Sequence, residues 1–499
     1  MMVVAAAALP LRGIAIAARL ATMYVTRGLA RLWLVIASLW LPACGGCSDV
    51  GSVGGLPDAR PSPDAMIDGM RPGDTSVTLT VLKDGAPAAG VAVYFLDTND
   101  SVVLSDVTNQ SGVVRADMEG GGSVTAVNPF TPPPAPRPAI DELRTFVGVK
   151  PGDHLALTQT MRVASTFTLQ VPSVGGETPD TSYGVVTNCG TGSLAPSGDG
   201  SAPSAQIALA DCADGVADLV VVATVPPPPG VIVPGGSSVR EMFQPGAALP
   251  APQSSDVMDM SGATWNEPTR VPFTYLNAPA APMAALYWIR NRGNLGPFHV
   301  GLLGNAGATF VPPGVVSTGL THVVVDTHVE PTGGAVGAHD VIDWGLAGPS
   351  YRLDLDGVLL PDLLSRPSFD AVSNSVIWSE DTAGATADLT SAAIQVNRGG
   401  RRWHWEIVAP YQPGQIVFPH LPVGTGDYDP TADDVVTAEP VMNAKVTGGY
   451  DAARPQFLNL RDRALINPDP TQGKPPDPTG FANGNSGTLV LVQTAPPGS

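Results

Sequence analysis

From residue 75 onward, apolar and polar positions alternate in short runs, the period of half-buried strands. Val77, Leu79 and Val81 alternate with Thr78, Thr80 and Leu82; after a turn at Asp84-Gly85, Gly90–Leu96 is a second run. Val102–Leu104, Gly112–Val114 and Val124–Val127 complete a first set. Thr145–Val149, Leu155–Thr158, Thr166–Val171, Tyr183–Val186, Ile207–Leu209 and Leu219–Val225 form a second. Arg270–Leu276, Ala285–Arg290, Phe298–Leu303 and Thr321–Val325 read as strands in a less regular region. Tyr351–Leu355, Ser375–Trp378, Ala392–Val396, Trp403–Val408, Gln415–Phe418 and Gly487–Thr494 follow. No long segment has the helical period. The pattern predicts an all-β chain of several immunoglobulin/transthyretin-like β-sandwich modules in tandem.

The punctuation between runs divides the chain. Residues 44–74 are Gly, Pro, Asp and Ser with little to bury, a disordered tether. Modules are expected at 75–128, 140–225, 230–350 and 351–495, with an extended polyproline spacer or long loop at 129–138 and Pro/Gly-rich loops at 426–480. The 56 Gly and 51 Pro among 499 residues make up about a fifth of the chain, below the ~25–30% that signals disorder throughout.

Residues 1–43 have another character. Arg31 precedes the apolar run Leu32–Leu41, which is too short for a membrane-spanning helix of about 20 residues. A charged start, an apolar middle and a small residue before a cut define a secretory signal. Leu41-Pro42-Ala43-Cys44 resembles the cleavage and lipidation site of bacterial lipoproteins, with Leu41 at −3, Ala43 at −1 and Cys44 at +1. Met23 is a simpler start for a signal of ordinary length. The resemblance implies a diacylglycerol thioether on Cys44 and an acylated amino group, so the lipid bilayer is the first expected partner. Each buried CH₂ contributes about 0.8 kcal/mol, and two or more chains hold stably where one does not. Gly45, rather than Asp, at the next position favours the outer membrane.

Charge narrows the partners. Arg12, Arg19, Arg27 and Arg31 lie in the signal, leaving 22 basic against 45 acidic residues, net −23. Such a chain lacks the cations that phosphate neutralisation needs, so no nucleic-acid partner is expected. An unidentified protein or polysaccharide ligand is. Outside the cytoplasm Cys189 and Cys212 are expected to form a disulfide worth roughly 3 kcal/mol, with Cys47 left over near the anchor.

Within 75–128, Gly85-x-Pro87-x-x-Gly90-Val91-x-Val93, Thr108-Asn109-x-x-Gly112 and Gly122-Ser123-Val124-Thr125-Ala126 resemble the carboxypeptidase regulatory-like domain. That resemblance implies a small transthyretin-like sandwich without catalytic residues of its own. Asn109 stands for the usual Asp, and Ser123 for the usual aromatic. Further on, Trp378, the run Arg402–Ile407 and Pro419-His420-Leu421-Pro422 resemble a fibronectin type III-like module.

Residues that could carry chemistry are few. Thr321-His322-Val323-Val324-Val325-Asp326-Thr327-His328, with His339, Asp340 and Asp343 further on, offers imidazoles and carboxylates, a sensible Zn²⁺ set. His322 and His328 are six residues apart, about 20 Å along a strand, so a metal would fall to His328 with His339 or Asp340 across the Gly333-Gly334 turn. A metal-dependent hydrolase on His328, His339 and Asp340 is the enzymatic alternative; solvent-facing side chains on a β edge are the other. Asp427, Asp429, Asp433 and Asp434 crowd one loop but lack EF-hand spacing, and Asp97-Thr98-Asn99-Asp100 is a shorter acidic turn. Trp403, Trp405 and Tyr411 could stack on sugar rings, as in a carbohydrate-binding accessory, or fill a core. Gly484-Asn485-Ser486-Gly487 echoes a trypsin-like nucleophile loop, but the upstream His signature is absent. No Gly-x-Ser-x-Gly elbow, phosphate loop or His-Glu-x-x-His occurs. The expectation is a lipid-anchored envelope protein of non-catalytic binding, adhesive or structural modules, with no catalytic residues and no cofactor.

Overall fold

The computed structural model describes residues 75–455 and 487–494, apart from 84–85, 132–139, 160–164, 188–189, 195–202, 210–215, 228–237, 250–256, 268, 278–282, 291–292, 303–306, 312–319, 330–333, 347–350 and 423–426. The regular secondary structure of the described chain is almost entirely strand.

The first sandwich follows from the alternation that opens it. Val77, Leu79 and Val81 on strand Ser76–Lys83 are fully buried, while the intervening Thr78 and Thr80 are only half-buried. This strand pairs antiparallel with Val113–Asp117 and parallel with His154–Gln159. Against it packs a second sheet ordered Val102–Val107, Ala92–Leu96, Gly122–Val127, Asp141–Val149. Val93, Phe95, Val124, Ala126 and Phe146 face the core from that side.

The turn residues of this module have local reasons. The Thr108 hydroxyl donates to the Ala88 carbonyl at 2.6 Å and accepts from the Val91 N–H at 3.0 Å. Asn109 Oδ1 accepts the N–H groups of Ser111 and Val113 at 2.8 and 3.1 Å. An Asp carboxylate would accept the same two hydrogens, so Asn109 preserves the turn. Gly112 has φ +70°, and a Cβ there would lie 2.5 Å from the Val81 carbonyl oxygen. Only glycine fits.

Strand Asp141–Val149 lies beyond the Pro-rich stretch, within the residues read as the second module, yet it is hydrogen-bonded to Gly122–Val127. Asn128 closes the gap: its backbone N–H donates to the Glu142 carbonyl at 2.6 Å, and its side chain accepts the Glu142 N–H at 2.8 Å. His154–Gln159 likewise belongs to the first sandwich.

A second sandwich pairs the sheet Gly190–Leu194, Ser182–Thr187, Val216–Val225, Ser238–Ala248 with the sheet Ser204–Leu209, Ser165–Gln170, Val257–Asp259. Phe167, Leu169, Tyr183, Val185, Leu219, Val221 and Met242 fill it.

The remaining strands build onto the first sandwich. One 13-stranded ladder begins at Gly293–Leu302 and runs through Met283–Arg290, Leu320–Val329 and Gly337–Leu346. It continues through Gly487–Thr494 and Met442–Val446 to Leu389–Arg398 and Arg401–Pro410. There a parallel pairing with Asp141–Val149 carries it into the first sandwich. Two small sheets lie off the ladder. Gly307–Val311, Thr269–Leu276 and Tyr351–Asp354 form one; Ser368–Asp370, Ser375–Ile377 and Gln415–Val417 form the other. The core beside the second small sheet holds Val376, Trp378, Ile394, Trp403, Trp405, Ile407, Ile416 and Phe418.

The parallel junction carries buried polar partners. Arg144 and Glu406 are opposite one another in register and form an ion pair, their side chains 7% and 3% exposed. Trp405 Nε1 donates to Thr145 Oγ1 at 2.8 Å, and Thr145 Oγ1 lies 2.8 Å from Thr125 Oγ1. Asp141 accepts from Arg401 at 3.2 Å and from the Tyr428 hydroxyl at 3.1 Å. A short helix at 449–455 braces the same junction: the fully buried Arg454 reaches the Gly148 carbonyl at 2.7 Å and the Asp153 carboxylate at 2.5 Å.

Candidate functional site

The His-rich hairpin pairs His328 with Asp340 in register. Their side chains meet, Nδ1 to Oδ1 2.6 Å, at 8% and 16% exposure. His339 is the next residue along the strand, so it projects from the opposite face. Its Nε2 is 2.9 Å from the Leu360 carbonyl and its Nδ1 is 3.7 Å from the Asp362 carboxylate. Burial pushes the His339 pKa below the ordinary histidine value, against the pull of the Leu360 carbonyl and of Asp362. The strand thus brings His328 and Asp340 together and turns His339 away. Among the described residues no three His, Cys, Asp or Glu side chains are grouped to hold a metal ion. The side chains of His322 and Asp326 lie outside the described residues.

The acidic loop is organised by an arginine. Arg398 donates from Nε and Nη2 to the two carboxylate oxygens of Asp434 at 2.8 and 2.6 Å. Its Nη1 and Nη2 also reach the carbonyls of Asp427 and Asp429 at 2.7 and 2.6 Å. Asp434 further accepts the Thr431 N–H at 2.7 Å. Its hydrogen bonds from Arg398, against a smaller cost of burial, hold its pKa below the usual carboxylate value. Asp429 accepts from the Leu421 N–H at 2.8 Å and lies 3.0 Å from His420 Nδ1. A guanidinium thus occupies the centre on which a cation-binding loop would converge its oxygens.

The shorter acidic turn is also internally satisfied. Asp97 Oδ1 accepts the N–H groups of Asn99 and Ser101, and Asp100 accepts the His420 N–H at 3.0 Å. This turn borders an open surface cleft of about 500 Å³, with Gly122, Ser123, Lys150 and Pro419 on its other sides.

Trp403 and Trp405 are both fully buried. Trp403 meets Tyr428 edge-on and lies beneath the guanidinium groups of Arg398 and Arg401. Trp405 packs edge-on against Phe418. Their faces are core surface, which corrects the sugar-stacking alternative at these two positions. Tyr411 is half-buried and donates to Glu380; burial, and then that carboxylate, push its phenol upward. Cys44, Cys47, Cys189, Cys212 and Ser486 lie outside the described residues.

Two features went unread in the sequence. Glu241 is 1% exposed, and burial pushes its pKa up to about 7. The other is a polar cluster around Glu380, which takes hydrogens from Trp378 Nε1 at 2.9 Å, Asn443 Nδ2 at 3.1 Å and the Tyr411 hydroxyl. Asn443 Oδ1 in turn accepts from Thr390 at 2.8 Å. Contributors so far apart in the chain leave no local motif.

No family model and no curated protein matches the chain. Among solved structures, the TIE protein of Bacillus anthracis is 10% identical at TM-score 0.14, over 56% of this chain and 50% of that one. This chain therefore covers half the length of that protein. A shaft pilin from Lactobacillus rhamnosus GG is 12% identical at TM-score 0.12, over 37% of this chain and 96% of that one. A tetra-tandem repeat from the extending region of a large adhesion protein is 10% identical at TM-score 0.11, over 74% and 94%. Likenesses this slight carry no argument; the all-β architecture rests on the strands themselves.

Proposed function

We propose that this is a lipid-anchored cell-envelope protein whose β-sandwich modules bind, adhere or build without catalysis. The observation that carries the reading is where the chemically capable side chains go. Arg398 takes up the acidic loop, Trp403 and Trp405 fill a core, and His328 and Asp340 face each other across a hairpin. Among the described residues these groups are engaged with a loop, a core and a neighbouring strand, which supports a non-catalytic reading. The 13-stranded ladder supports the same reading, because it joins strands drawn from much of the described chain into one hydrogen-bonded sheet. The Leu41–Cys44 stretch supports an anchor in the outer membrane, the Gly/Pro/Asp-rich 44–74 a tether, and the turn motifs of 75–128 a carboxypeptidase regulatory-like module. Its partners are the bilayer and a protein or polysaccharide.

Cell fractionation with lipid-resolving mass spectrometry tests the anchor: the wild-type chain stays with membranes carrying a modified Cys44, and Cys44→Ala releases it. A wild-type chain with an unmodified Cys44 overturns the anchor. Panels of glycans, envelope proteins and chromogenic ester, peptide and glycoside substrates test the rest. Binding without turnover is expected; turnover lost in His328→Ala overturns the non-catalytic reading.

A further inference from the structure

Thr390 and Asn443 sit directly opposite one another on the neighbouring strands Leu389–Arg398 and Met442–Val446, and both are 0% exposed. The Thr390 hydroxyl points at the Asn443 amide, Oγ1 to Oδ1 2.8 Å. The electrophilic Cγ lies one carbonyl bond, about 1.2 Å, beyond that oxygen. That places Oγ1 about 3.1–4.0 Å from Cγ, at the edge of the roughly 3–3.5 Å that near-attack geometry requires. On the nitrogen side of the same amide stands Glu380, 3.1 Å from Nδ2. Trp378 and Tyr411 hold that carboxyl group in place. A hydroxyl, an amide carbon and a carboxyl group are therefore fixed in order, with both reacting residues shut away from water.

We propose that Thr390 and Asn443 form an intramolecular ester that covalently ties these two strands. Oγ1 adds to Cγ, and its proton passes to Oδ1, the atom it already addresses. Collapse of the tetrahedral centre re-forms the carbonyl and breaks the Cγ–Nδ2 bond. The Glu380 carboxyl group carries the proton from oxygen to nitrogen, and ammonia leaves. One hydroxyl and one primary amide become one ester and one ammonia, with no oxidant, reductant or co-reactant. Burial serves twice: it desolvates the hydroxyl for attack and keeps water from hydrolysing the product. The linked strands lie in the ladder beside Gly487–Thr494, so the bond would reinforce the sheet at that point.

The test is peptide mapping of the full chain, purified under denaturing conditions and digested with protease. The expected product is one branched peptide joining the segments that hold Thr390 and Asn443. It should be lighter than their sum by one ammonia and be split by hydroxylamine. Thr390→Val keeps the shape and should give two linear peptides of full mass. Glu380→Gln keeps hydrogen-bonding capacity at that position and should slow formation at least tenfold in a refolding time course. Should the valine variant fail to fold, the wild-type and glutamine digests still decide. Linear Thr390 and Asn443 peptides of full mass from the wild-type chain overturn the proposal, and a branch that forms equally fast in Glu380→Gln overturns the role of Glu380.

Discussion

Arg144 and Glu406 face each other across the parallel pairing of Asp141–Val149 with Arg401–Pro410, both almost wholly out of water. Burying two charges is costly, and taking the arginine from a buried carboxylate costs about 3–5 kcal/mol, whereas Arg144 deprived of Glu406 keeps the half-buried Glu142 at 2.7 Å. Arg144→Met should lower urea stability by about that much, and Glu406→Leu by less, because Glu142 still partners the guanidinium. The double variant should recover most of the loss, because two apolar side chains need no partner. Equilibrium unfolding of the four chains completes the cycle.

Arg398 should prove to be the organiser of the acidic loop. Arg398→Met removes donors to Asp434 and to the carbonyls of Asp427 and Asp429. Charged hydrogen bonds of this kind contribute about 1.5–3 kcal/mol. Hydrogen exchange at Thr431–Asp434 should accelerate first. Arg398→Lys should restore little, because one ammonium lacks the planar fork that spans those acceptors.

Glu241 sets a pH dependence with a definite sign. Burial raises its folded pKa from 4.5 to about 7, so between those values the folded chain holds a proton that the unfolded chain has released. Its contribution is fully present below pH 4.5, declines as pH rises, and is gone above about pH 7. The fall attributable to this group is on the order of 3 kcal/mol. Thermal melts of Glu241→Gln should show that part of the slope removed, with wild-type and variant diverging most at neutral pH.

Trp403→Ala and Trp405→Ala should act through the core. Removing a buried Trp costs about 3–5 kcal/mol, and Trp405 also surrenders its hydrogen bond to Thr145. Near-ultraviolet circular dichroism should lose its fine structure in both variants.

What the sequence could show followed from distance along the chain. Val77, Leu79 and Val81 declare a buried face within five residues, and Gly487–Thr494 was read with the bounds it has in the fold. Gly337–Leu346 went unread because Gly337, His339, Asp340, Asp343 and Gly345 break the apolar alternation, although neighbours pair it on both sides. Thr145 and Trp405 touch across 260 positions. Nothing local at either residue announces the other, so the junction between the first sandwich and the rest of the ladder was invisible. The acidic loop shows a second limit. Asp427, Asp429 and Asp434 look the same in sequence whether a metal or a guanidinium balances them, and the answer lay in Arg398 on another strand. Likewise, Trp403 and Trp405 share a face by spacing, but spacing does not say whether that face meets solvent.

The place of Gly487–Thr494, inserted between Gly337–Leu346 and Met442–Val446, bears on how the protein is made. A ribosome delivers both flanking strands before the one that fills the space between them. Until it arrives, each exposes an unsatisfied edge able to recruit a neighbouring copy.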